Sequence, residues 1–274
     1  MSFEIDLLDL ALPEPDPMIK EKVMARCASA PTAYENWAPA VAKASVSAPD
    51  TVAVPMGFEL QEAILENLEM PPEAIENLHA IVKAVEAMGA KHGFPLFMKT
   101  SFTSKKQDWV ESCCLESSDP GVVLNQLANI VGFQGFSPYV VSPSLLIREM
   151  LETAPVFHAF NEMPVTQEFR LFADKGKVLG YQPYWPAESI QNPSVQDWEP
   201  KLKKISRLGE KDLDHLVAMA ANVTKELEGE WSVDFLKDRH GKWWLIDMAE
   251  GALSYRNEKE YTKLAEPDQS PSFG

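Results

Sequence analysis

Two segments near the C-terminal end of the chain, both rich in β-branched and aromatic residues, constrain the fold most strongly. They cover residues 231–236 and 242–248, and the polar run 237–241 between them ends on a glycine. Such residues favour strands, and a polar run that closes on glycine is typical of a turn. The pattern therefore predicts a β-hairpin, and with it an antiparallel sheet.

Each arm of this hairpin carries one aspartate, Asp234 in the first and Asp247 in the second. A loop of even length places both on one face, and a two-residue turn at His240-Gly241 places them directly opposite, with side chains about 5 Å apart. Like charges so placed destabilise a sheet unless a cation lies between them. An oxygen-only pair suits Mg²⁺, which one or two carboxylates hold together with substrate phosphates. The alternative is two solvated carboxylates on an outer face.

Composition excludes several classes of function. The chain has 274 residues, which suits one large domain or two small ones. Its formal net charge of −16 argues against a nucleic-acid surface, because such a surface needs clustered positive charge. No apolar run reaches the roughly 18 residues of a membrane span. We therefore expect no nucleic-acid and no membrane partner.

Cysteine usage and the first residues bear on the compartment. Cys27, Cys113 and Cys114 form an odd set without CxxC spacing, which favours free thiols in a reducing cytosol. The acidic start of the chain lacks the basic region of a signal peptide. Both features predict a cytoplasmic protein. Scattered histidines make a zinc site an unattractive hypothesis, and the glycine motifs of common nucleotide-binding loops are absent.

Local patterns predict an alternation of helices and strands. We expect helices at 18–28 and 58–70, with loop and one short strand, 51–54, between them. Pro71-Pro72 opens a helix that Gly93 ends, and Asp119-Pro120 opens another. Further along the chain the patterns predict strands at 94–100 and 145–151, a hairpin of 167–173 with 177–181, a long loop at 182–208, a helix at 213–227 and a loosely held polar end.

Charged residues interrupt three of the apolar strands: Lys99 in the first, Arg148 and Glu149 in the second, Glu168 and Arg170 in the third. Each has a structural explanation, solvation at a strand edge for the lysine or an ion pair for the others. Together with the two hairpin aspartates, however, they form an ordered series of charges on successive strands. Few folds need such a series in this order.

Four segments in this order resemble the ATP-grasp superfamily, and most of all its small members common in bacteriophages. They are residues 94–109 (FPLFMKTSFTSKKQDW), 148–152 (REMLE), 167–177 (QEFRLFADKGK) and 233–254 (VDFLKDRHGKWWLIDMAEGALS). The resemblance implies an α+β fold of two α+β subdomains, whose antiparallel sheets sandwich a nucleotide. It places these subdomains at 71–145 and 146–255, after an N-terminal helical and irregular region at 1–70 and before a polar tail at 256–274.

The resemblance also implies roles for the first half of the site. Lys99 matches a lysine that reaches the nucleotide phosphates, which suits a point charge. The turn that carries Ser101, Thr103 and Ser104 would cover those phosphates with hydroxyls and backbone amides, although it lacks the usual glycines. At the linker between subdomains, backbone groups would pair with the adenine edge. The linker residues assigned to ATP binding are Arg148, Glu149, Met150 and Leu151, with a phosphate or a structural contact equally open for Arg148.

In the second half of the site, Arg170 would hold the γ-phosphate or stabilise charge during transfer. Glu168 would position this arginine or assist metal binding. Asp234 and Asp247 match two acidic metal positions for Mg²⁺. The family usually has an asparagine two residues after the second acid, where this chain has Ala249, so Glu250 is the candidate third ligand if the strand has bent there.

The function that the resemblance implies is a Mg-ATP-dependent ligase that joins a carboxylate to an amine through an acyl-phosphate. An ATP-binding assembly or interaction protein with little turnover, which would have a protein partner, is the first alternative, because an ATP-grasp chaperone of eukaryotes has a similar pattern. A kinase is the second alternative. A phage-encoded protein of this kind would act in the host cytoplasm.

Overall fold

Two antiparallel sheets and a small separate hairpin organise the chain in its computed structural model, which describes residues 17–135 and 141–264. The strands are β1 (Thr51–Pro55), β2 (Leu96–Thr100), β3 (Cys114–Leu115), β4 (Ser144–Glu149), β5 (Phe157–Ala159), β6 (Met163–Val165), β7 (Glu168–Asp174), β8 (Lys177–Pro183), β9 (Glu230–Lys237), β10 (Trp243–Glu250) and β11 (Thr262–Lys263).

The strand order separates the two sheets clearly. The first sheet runs β1-β4-β2-β3 and the second β10-β9-β7-β8-β11, while β5 and β6 pair with each other. All paired strands are antiparallel. Helices cover one face of each large sheet, so the predicted α+β class with two antiparallel sheets is confirmed.

The helices begin and end largely where the sequence signals predict. Pro72 opens the longest helix and Gly93 caps it, at a φ of 80° that favours glycine. The side chain of Asp119 accepts hydrogen bonds from the first turn of another helix. Within the described residues, no helix combines the length and apolar character needed to cross a membrane. The helices are α1 (Pro17–Ala28), α2 (Tyr34–Lys43), α3 (Phe58–Leu65), α4 (Pro72–His92), α5 (Pro120–Gln134), α6 (Trp198–Ile205) and α7 (Glu210–Thr224).

Each large sheet has its own hydrophobic core. Side chains of α3, α4 and α5 pack on the first sheet. The second core is formed by α2 and α7 on the second sheet, with Phe169 and Phe235 fully buried beneath the strands. A smaller cluster joins the β5-β6 hairpin to α6 and Trp185. Because both cores use one sheet face only, the other faces are free to carry polar groups.

The N-terminal region differs from the prediction in one element. The short strand at 51–54 is confirmed as β1, but the preceding stretch contains α2, which the sequence analysis placed in a loop. Local pattern gave a weak signal because the stretch is rich in Ala and Ser and contains Pro39. Trp37 and Val41, four residues apart on one helical face, are buried in the second core. Tertiary packing therefore stabilises this helix.

Three further stretches are more ordered than predicted. The 182–208 loop contains α6, the β5-β6 hairpin was not foreseen, and β11 in the polar end pairs with β8. Aromatic contacts between distant segments hold the first two, with the rings of Phe157 and Trp198 6.1 Å apart. Such contacts are not visible in the local pattern of either segment.

The predicted boundary between the two subdomains, at residues 145/146, falls inside β4. This strand pairs with β1, which belongs to the predicted N-terminal region. Residues 1–16 and 265–274, at the ends of that region and of the predicted tail, lie outside the described residues.

The C-terminal hairpin is confirmed, but its register arises differently from the prediction. Trp243 lies opposite Lys237, so the connecting loop has five residues instead of two. An extra residue, Ile246, forms a β-bulge, after which Asp247 lies opposite Asp234. Without the bulge, the odd loop would turn Asp247 to the other face of the sheet. The bulge therefore brings the two carboxylates together.

We expect Phe235→Ala to lower the free energy of unfolding by about 3–5 kcal/mol, because it leaves a cavity in the second core. Urea denaturation followed by tryptophan fluorescence measures this loss. Leu253→Ala, at a side chain that is 61% exposed, is the control and should change stability by less than about 0.5 kcal/mol. Equal losses in both variants would contradict the packing described here.

Candidate functional site

A cavity of about 270 Å³ lies between the two sheets and the linker that joins them. Its lining combines apolar side chains, among them Phe97, Trp109, Met150 and Leu236, with charged ones. The charged side chains are Lys99, Lys106, Arg148, Glu149, Glu168 and Asp247. Apolar surface together with several cations suits a ligand with a flat, weakly polar part and an anionic part.

A row of polar side chains crosses four strands of the second sheet beside this cavity. Asp247 on β10 lies opposite Asp234 on β9, which lies opposite Arg170 on β7, which lies opposite Gln182 on β8. Arg170 binds Asp234 through two parallel hydrogen bonds of 2.7 and 2.8 Å. Strand alternation puts the whole row on the face away from the second core. Three residues of the predicted series, Arg170, Asp234 and Asp247, thus lie side by side on one sheet face.

Lys99 joins the first sheet to this row. Its Nζ lies 2.6 Å from Oδ2 of Asp247, and only 2% of the lysine side chain is exposed against 33% of the aspartate. Burial lowers the pKa of Lys99, although the charge of Asp247 opposes this shift. Burial also acts to raise the pKa of Asp247, but the charges of Lys99 and Arg148 outweigh it, so the net shift is downward. The carboxylate is therefore held ionised in the cavity.

Lys106 is a site residue that the sequence analysis missed. It lies 3.2 Å from Oε2 of the buried Glu168, and its Nζ is 4.6 Å from the ring centre of Tyr184. Burial acts to lower the pKa of Lys106, but the charge of Glu168 and other nearby groups reverses the shift and raises it. Its position in a basic turn was a sequence signal for a phosphate contact, but the neighbouring Lys105 gave the same signal. Lys105 instead forms an ion pair with Asp108.

Glu168 and Arg170 lie on one face of β7, as predicted, but they do not bind each other. Glu168 accepts hydrogen bonds from Lys106 and from Nε1 of Trp185, at 3.2 Å each. The guanidinium of Arg170 lies 5.0 Å from the ring centre of Tyr184. Tyr184 is thus packed between two cations, and Glu168 positions the lysine and not the arginine.

The serine- and threonine-rich turn reaches the cavity only in part. Ser104 lines it, whereas Ser101 is buried and its hydroxyl donates to Glu35 and to the backbone carbonyl of Ser144. The carbonyl of Thr103 accepts hydrogen bonds from Thr100, and Thr103 is not among the lining residues. The hydroxyls of this turn therefore stabilise its shape more than they face the cavity.

The end of β4 and the linker that follows it border the cavity. Glu149, Met150 and Leu151 all line the cavity. The backbone amide of Glu149 donates to the carbonyl of Asp50, and its carboxylate accepts from the amide of Asp50, so this residue also fixes the strand end. Met150 and Leu151 form part of the apolar wall.

Arg148 is buried between the two sheets. Its Nη1 donates to the carbonyl of Ile246, the bulge residue, at 2.6 Å, and its guanidinium lies 5.3 Å from the ring centre of Tyr34. Burial lowers the pKa of Arg148, opposed by the charge of Asp247. Both open roles for this residue are compatible with its position, because it lines the cavity and also binds the opposite sheet.

Glu250 is not brought to the aspartate pair. The register from Asp247 to Glu250 is regular, so the strand does not bend before Gly251. Alternation then places Ala249 on the face of Asp247 and Glu250 on the opposite face. Among the described residues there is no group of three or more acidic, histidine or cysteine side chains that could hold a metal.

The donor set at the row consists of two directly opposed carboxylates, Asp234 and Asp247. This set is too small for a metal that is held by protein ligands alone. It fits Mg²⁺, which keeps several bound waters and is held by one or two carboxylates together with the phosphates of a substrate. The nearby cations equal the acids in number: Lys99, Lys106, Arg148 and Arg170 stand against Glu149, Glu168 and the two aspartates. The charges at the site are therefore balanced within a strongly acidic protein, so an anionic ligand meets less repulsion there.

Comparison with known proteins gives no family by sequence: no family model and no curated protein matches the chain. Among solved structures, Cdc123 from Schizosaccharomyces pombe is 13% identical, with a TM-score of 0.48 over 86% of this chain and 90% of that one. The ATP-grasp ligase PsnB, complexed with the precursor peptide PsnA2 and AMPPNP, is 11% identical, with a TM-score of 0.41 over 82% of this chain and 50% of that one.

N5-carboxyaminoimidazole ribonucleotide synthetase from Thermotoga maritima is also 11% identical, with a TM-score of 0.41 over 80% of this chain. The chain spans only 41% of that synthetase and half of PsnB. At these identities and scores the likeness concerns general topology. Any function assigned to the chain must rest on its own site.

We expect Asp247→Asn to lower the free energy of unfolding at pH 7 by about 2 kcal/mol, because it leaves the buried Lys99 unpaired. The pKa of Asp247 is below its ordinary value in the folded protein, so its stabilisation is present above that ordinary value and is lost as the pH falls through the folded pKa. The stability difference between wild type and variant should therefore shrink between about pH 5 and pH 2. Urea denaturation at several pH values measures it.

Asp174→Asn, which changes an exposed carboxylate at the end of β7, is the matched control. It should leave both the stability and its pH dependence close to those of wild type. A constant difference between Asp247→Asn and wild type across the acid range would contradict the ion pair.

Proposed function

We propose that this protein is an ATP-grasp enzyme, a Mg-ATP-dependent ligase that joins a carboxylate to an amine. The single observation that carries the proposal is the cavity between the two sheets, whose lining combines apolar side chains with Lys99, Lys106 and Arg148. Next to these cations lies the opposed pair Asp234 and Asp247. This is the distribution of polarity that a nucleoside triphosphate with its magnesium requires.

The apolar side chains of Phe97, Met150 and Leu151 would hold the base and so form the apolar end of the nucleotide site. The charged end would hold the phosphates, where Lys99 and Lys106 supply point charges and Arg148 a planar donor. Both lysines already bind carboxylates, Lys99 that of Asp247 at 2.6 Å and Lys106 that of the buried Glu168 at 3.2 Å, and are therefore fixed in orientation without a ligand. Such preorganisation lowers the cost of ordering side chains on binding.

Asp234 and Asp247 would hold Mg²⁺, which neutralises phosphate charge when it is bound. Arg170 lies beside this pair and would stabilise the charge that develops on the transferred phosphoryl group. Its two hydrogen bonds to Asp234 fix its fork, and the ring of Tyr184 supports its face. Glu168 has a supporting role, because it holds Lys106 in place.

In the proposed reaction an oxygen of the carboxylate substrate attacks the γ-phosphorus, and ADP leaves. The resulting acyl-phosphate is then attacked at its carbonyl carbon by the amine, so that inorganic phosphate leaves and an amide bond forms. The amine loses a proton in this step. The cationic side chains Lys99, Lys106 and Arg170 stabilise the negative charge of the phosphates throughout, whereas the reacting carboxylate and amine belong to the substrates.

A second candidate is an ATP-binding assembly or interaction protein with little turnover. One observation favours it: Ala249 lies on the face of Asp247 without a metal-binding group, so the donor set is limited to two carboxylates. Both carboxylates are also paired with cations, Asp247 with Lys99 and Asp234 with Arg170. Nucleotide binding with stoichiometric capture of a protein, and no ADP release, is the result expected of this candidate.

For the phosphate contacts, we expect Lys99→Ala and Lys106→Ala each to weaken ATP binding about tenfold or more, the effect of losing a charge-assisted hydrogen bond. Adenosine binding should change far less, because the base lies at the apolar end. Isothermal titration calorimetry with both ligands measures the difference. Lys105→Ala is the matched control, since this neighbouring lysine pairs with Asp108. Equal losses of affinity for ATP and adenosine would indicate that Lys99 and Lys106 have structural roles and do not contact the phosphates.

For the reaction, we expect ADP release to depend on an added carboxylate, and hydroxylamine to trap the acyl-phosphate as a hydroxamate. A screen of carboxylates with amines, read by coupled ADP detection, measures this. Asp247→Asn should abolish both Mg-dependent ATP binding and ADP release, while Asp174→Asn retains them. ADP release in the presence of a hydroxyl acceptor, with no hydroxamate, would instead indicate a kinase.

A further inference from the structure

The segment from α2 to β1 contacts both sheets at the site, although it lies outside the stretch that resembles ATP-grasp proteins. The ring of Tyr34 packs on the guanidinium of Arg148, and the carboxylate of Glu35 accepts from Ser101 at 2.9 Å. After α2, the carbonyl of Ser47 accepts from the amide of Leu245 at 2.8 Å. The segment therefore contacts the turn that follows β2, the end of β4 and the edge of β10.

Two of these contacts meet at one place, the bulge in β10. Leu245, which binds Ser47, directly precedes the bulge residue Ile246. The carbonyl of Ile246 accepts from Nη1 of Arg148 at 2.6 Å. Next to the bulge, β10 thus donates one hydrogen bond to the segment, and the bulge residue accepts one from an arginine whose face the segment covers.

Arg148 depends on this arrangement because it is only 4% exposed. Its Nε has no hydrogen-bond partner among the described residues, and no carboxylate forms an ion pair with it there. Its favourable interactions are therefore the ring of Tyr34, at 5.3 Å, the hydrogen bond to the carbonyl of Ile246 and the nearby charge of Asp247. A buried guanidinium held by so few partners would change its position if one were removed.

The orientation of Asp247 follows from the bulge. The register before Ile246 would place Asp234 opposite this residue, and only the extra residue brings Asp247 to the face of Asp234. Any change that weakens the bulge therefore changes the relation between the two carboxylates.

We propose that Tyr34 and Arg148 are positioning residues for the metal-binding pair: Tyr34 holds Arg148, Arg148 holds the carbonyl of Ile246, and the bulge so fixed orients Asp247. This proposal rests on the proposed function, since it assumes that Asp234 and Asp247 bind the metal. The segment from α2 to β1 would thus be part of the functional site, because it helps to position the two carboxylates.

The test uses Tyr34→Leu, which removes the ring but keeps apolar bulk, in the full-length protein. Tyr34→Phe keeps the ring and is the conservative control. Val41→Ala weakens the packing of α2 in the second core without touching Arg148, and so controls for general loosening of the helix. Tyr34 does not line the nucleotide cavity, so its effect cannot be a direct contact with the ligand.

The first readout is hydrogen exchange of the unliganded protein. In Tyr34→Leu the amides of residues 243–250 should exchange about fivefold faster, the factor that corresponds to a cation–π contact of about 1 kcal/mol. The hairpin of β7 and β8 should be unchanged. Tyr34→Phe should match wild type in β10, and Val41→Ala, at a side chain that packs in the same core as β10, should raise exchange there less than Tyr34→Leu does. Unchanged exchange in Tyr34→Leu would overturn the proposal.

The second readout is Mn²⁺ affinity in the presence of the ATP analogue AMPPNP, measured by electron paramagnetic resonance. At a saturating concentration of AMPPNP, Tyr34→Leu should bind Mn²⁺ about fivefold more weakly than wild type, so that a loss of nucleotide affinity through Arg148 does not enter the readout. Equal Mn²⁺ affinity in Tyr34→Leu and Tyr34→Phe would overturn the proposal and leave the proposed function intact. Absence of Mn²⁺ binding by wild type itself would overturn both.

Discussion

The ion pair between Lys99 and Asp247 is the interaction on which the rest of the site depends. It joins the two sheets, because the lysine comes from β2 and the aspartate from β10. A lysine that is 2% exposed needs a compensating charge, and this one has it at 2.6 Å. The opposed acids need compensation for the same reason, and Arg170 supplies it to Asp234. The two sheets therefore face each other through charges.

This electrostatic balance explains how a protein with a net charge of −16 can keep a cavity whose own charges are balanced. The acidic residues in excess lie elsewhere, whereas at the cavity the cations equal the acids in number. Burial strengthens each pair, so small displacements have large effects. The bulge at Ile246 and the arginine that binds its carbonyl are therefore as important to the site as the acids themselves. The backbone geometry of the bulge and the compensation of charge by Arg148 act together on the position of the carboxylates.

Much of the site could be predicted because chemistry at this kind of centre needs particular residues at particular positions in strands. Lys99, Glu168 and Asp247 all lie at the cavity, and Asp234 lies opposite Asp247, as the pattern of the hairpin predicts. Lys106 was missed because adjacent lysines look alike in sequence. Their roles differ only because the chain turns one toward Glu168 and the other toward Asp108.

The sequence by itself determined the α+β class, the two antiparallel hairpins and most helix ends, since these depend on periodicity, caps and turn residues close together in the chain. Only the tertiary structure decided that α2 forms, that a bulge and not a two-residue turn aligns the acids, and that Glu250 faces away. These outcomes depend on contacts between segments far apart in sequence, such as Trp37 in the second core. Local patterns contain no information on such contacts, because the free energy that fixes them arises only when the chain has packed.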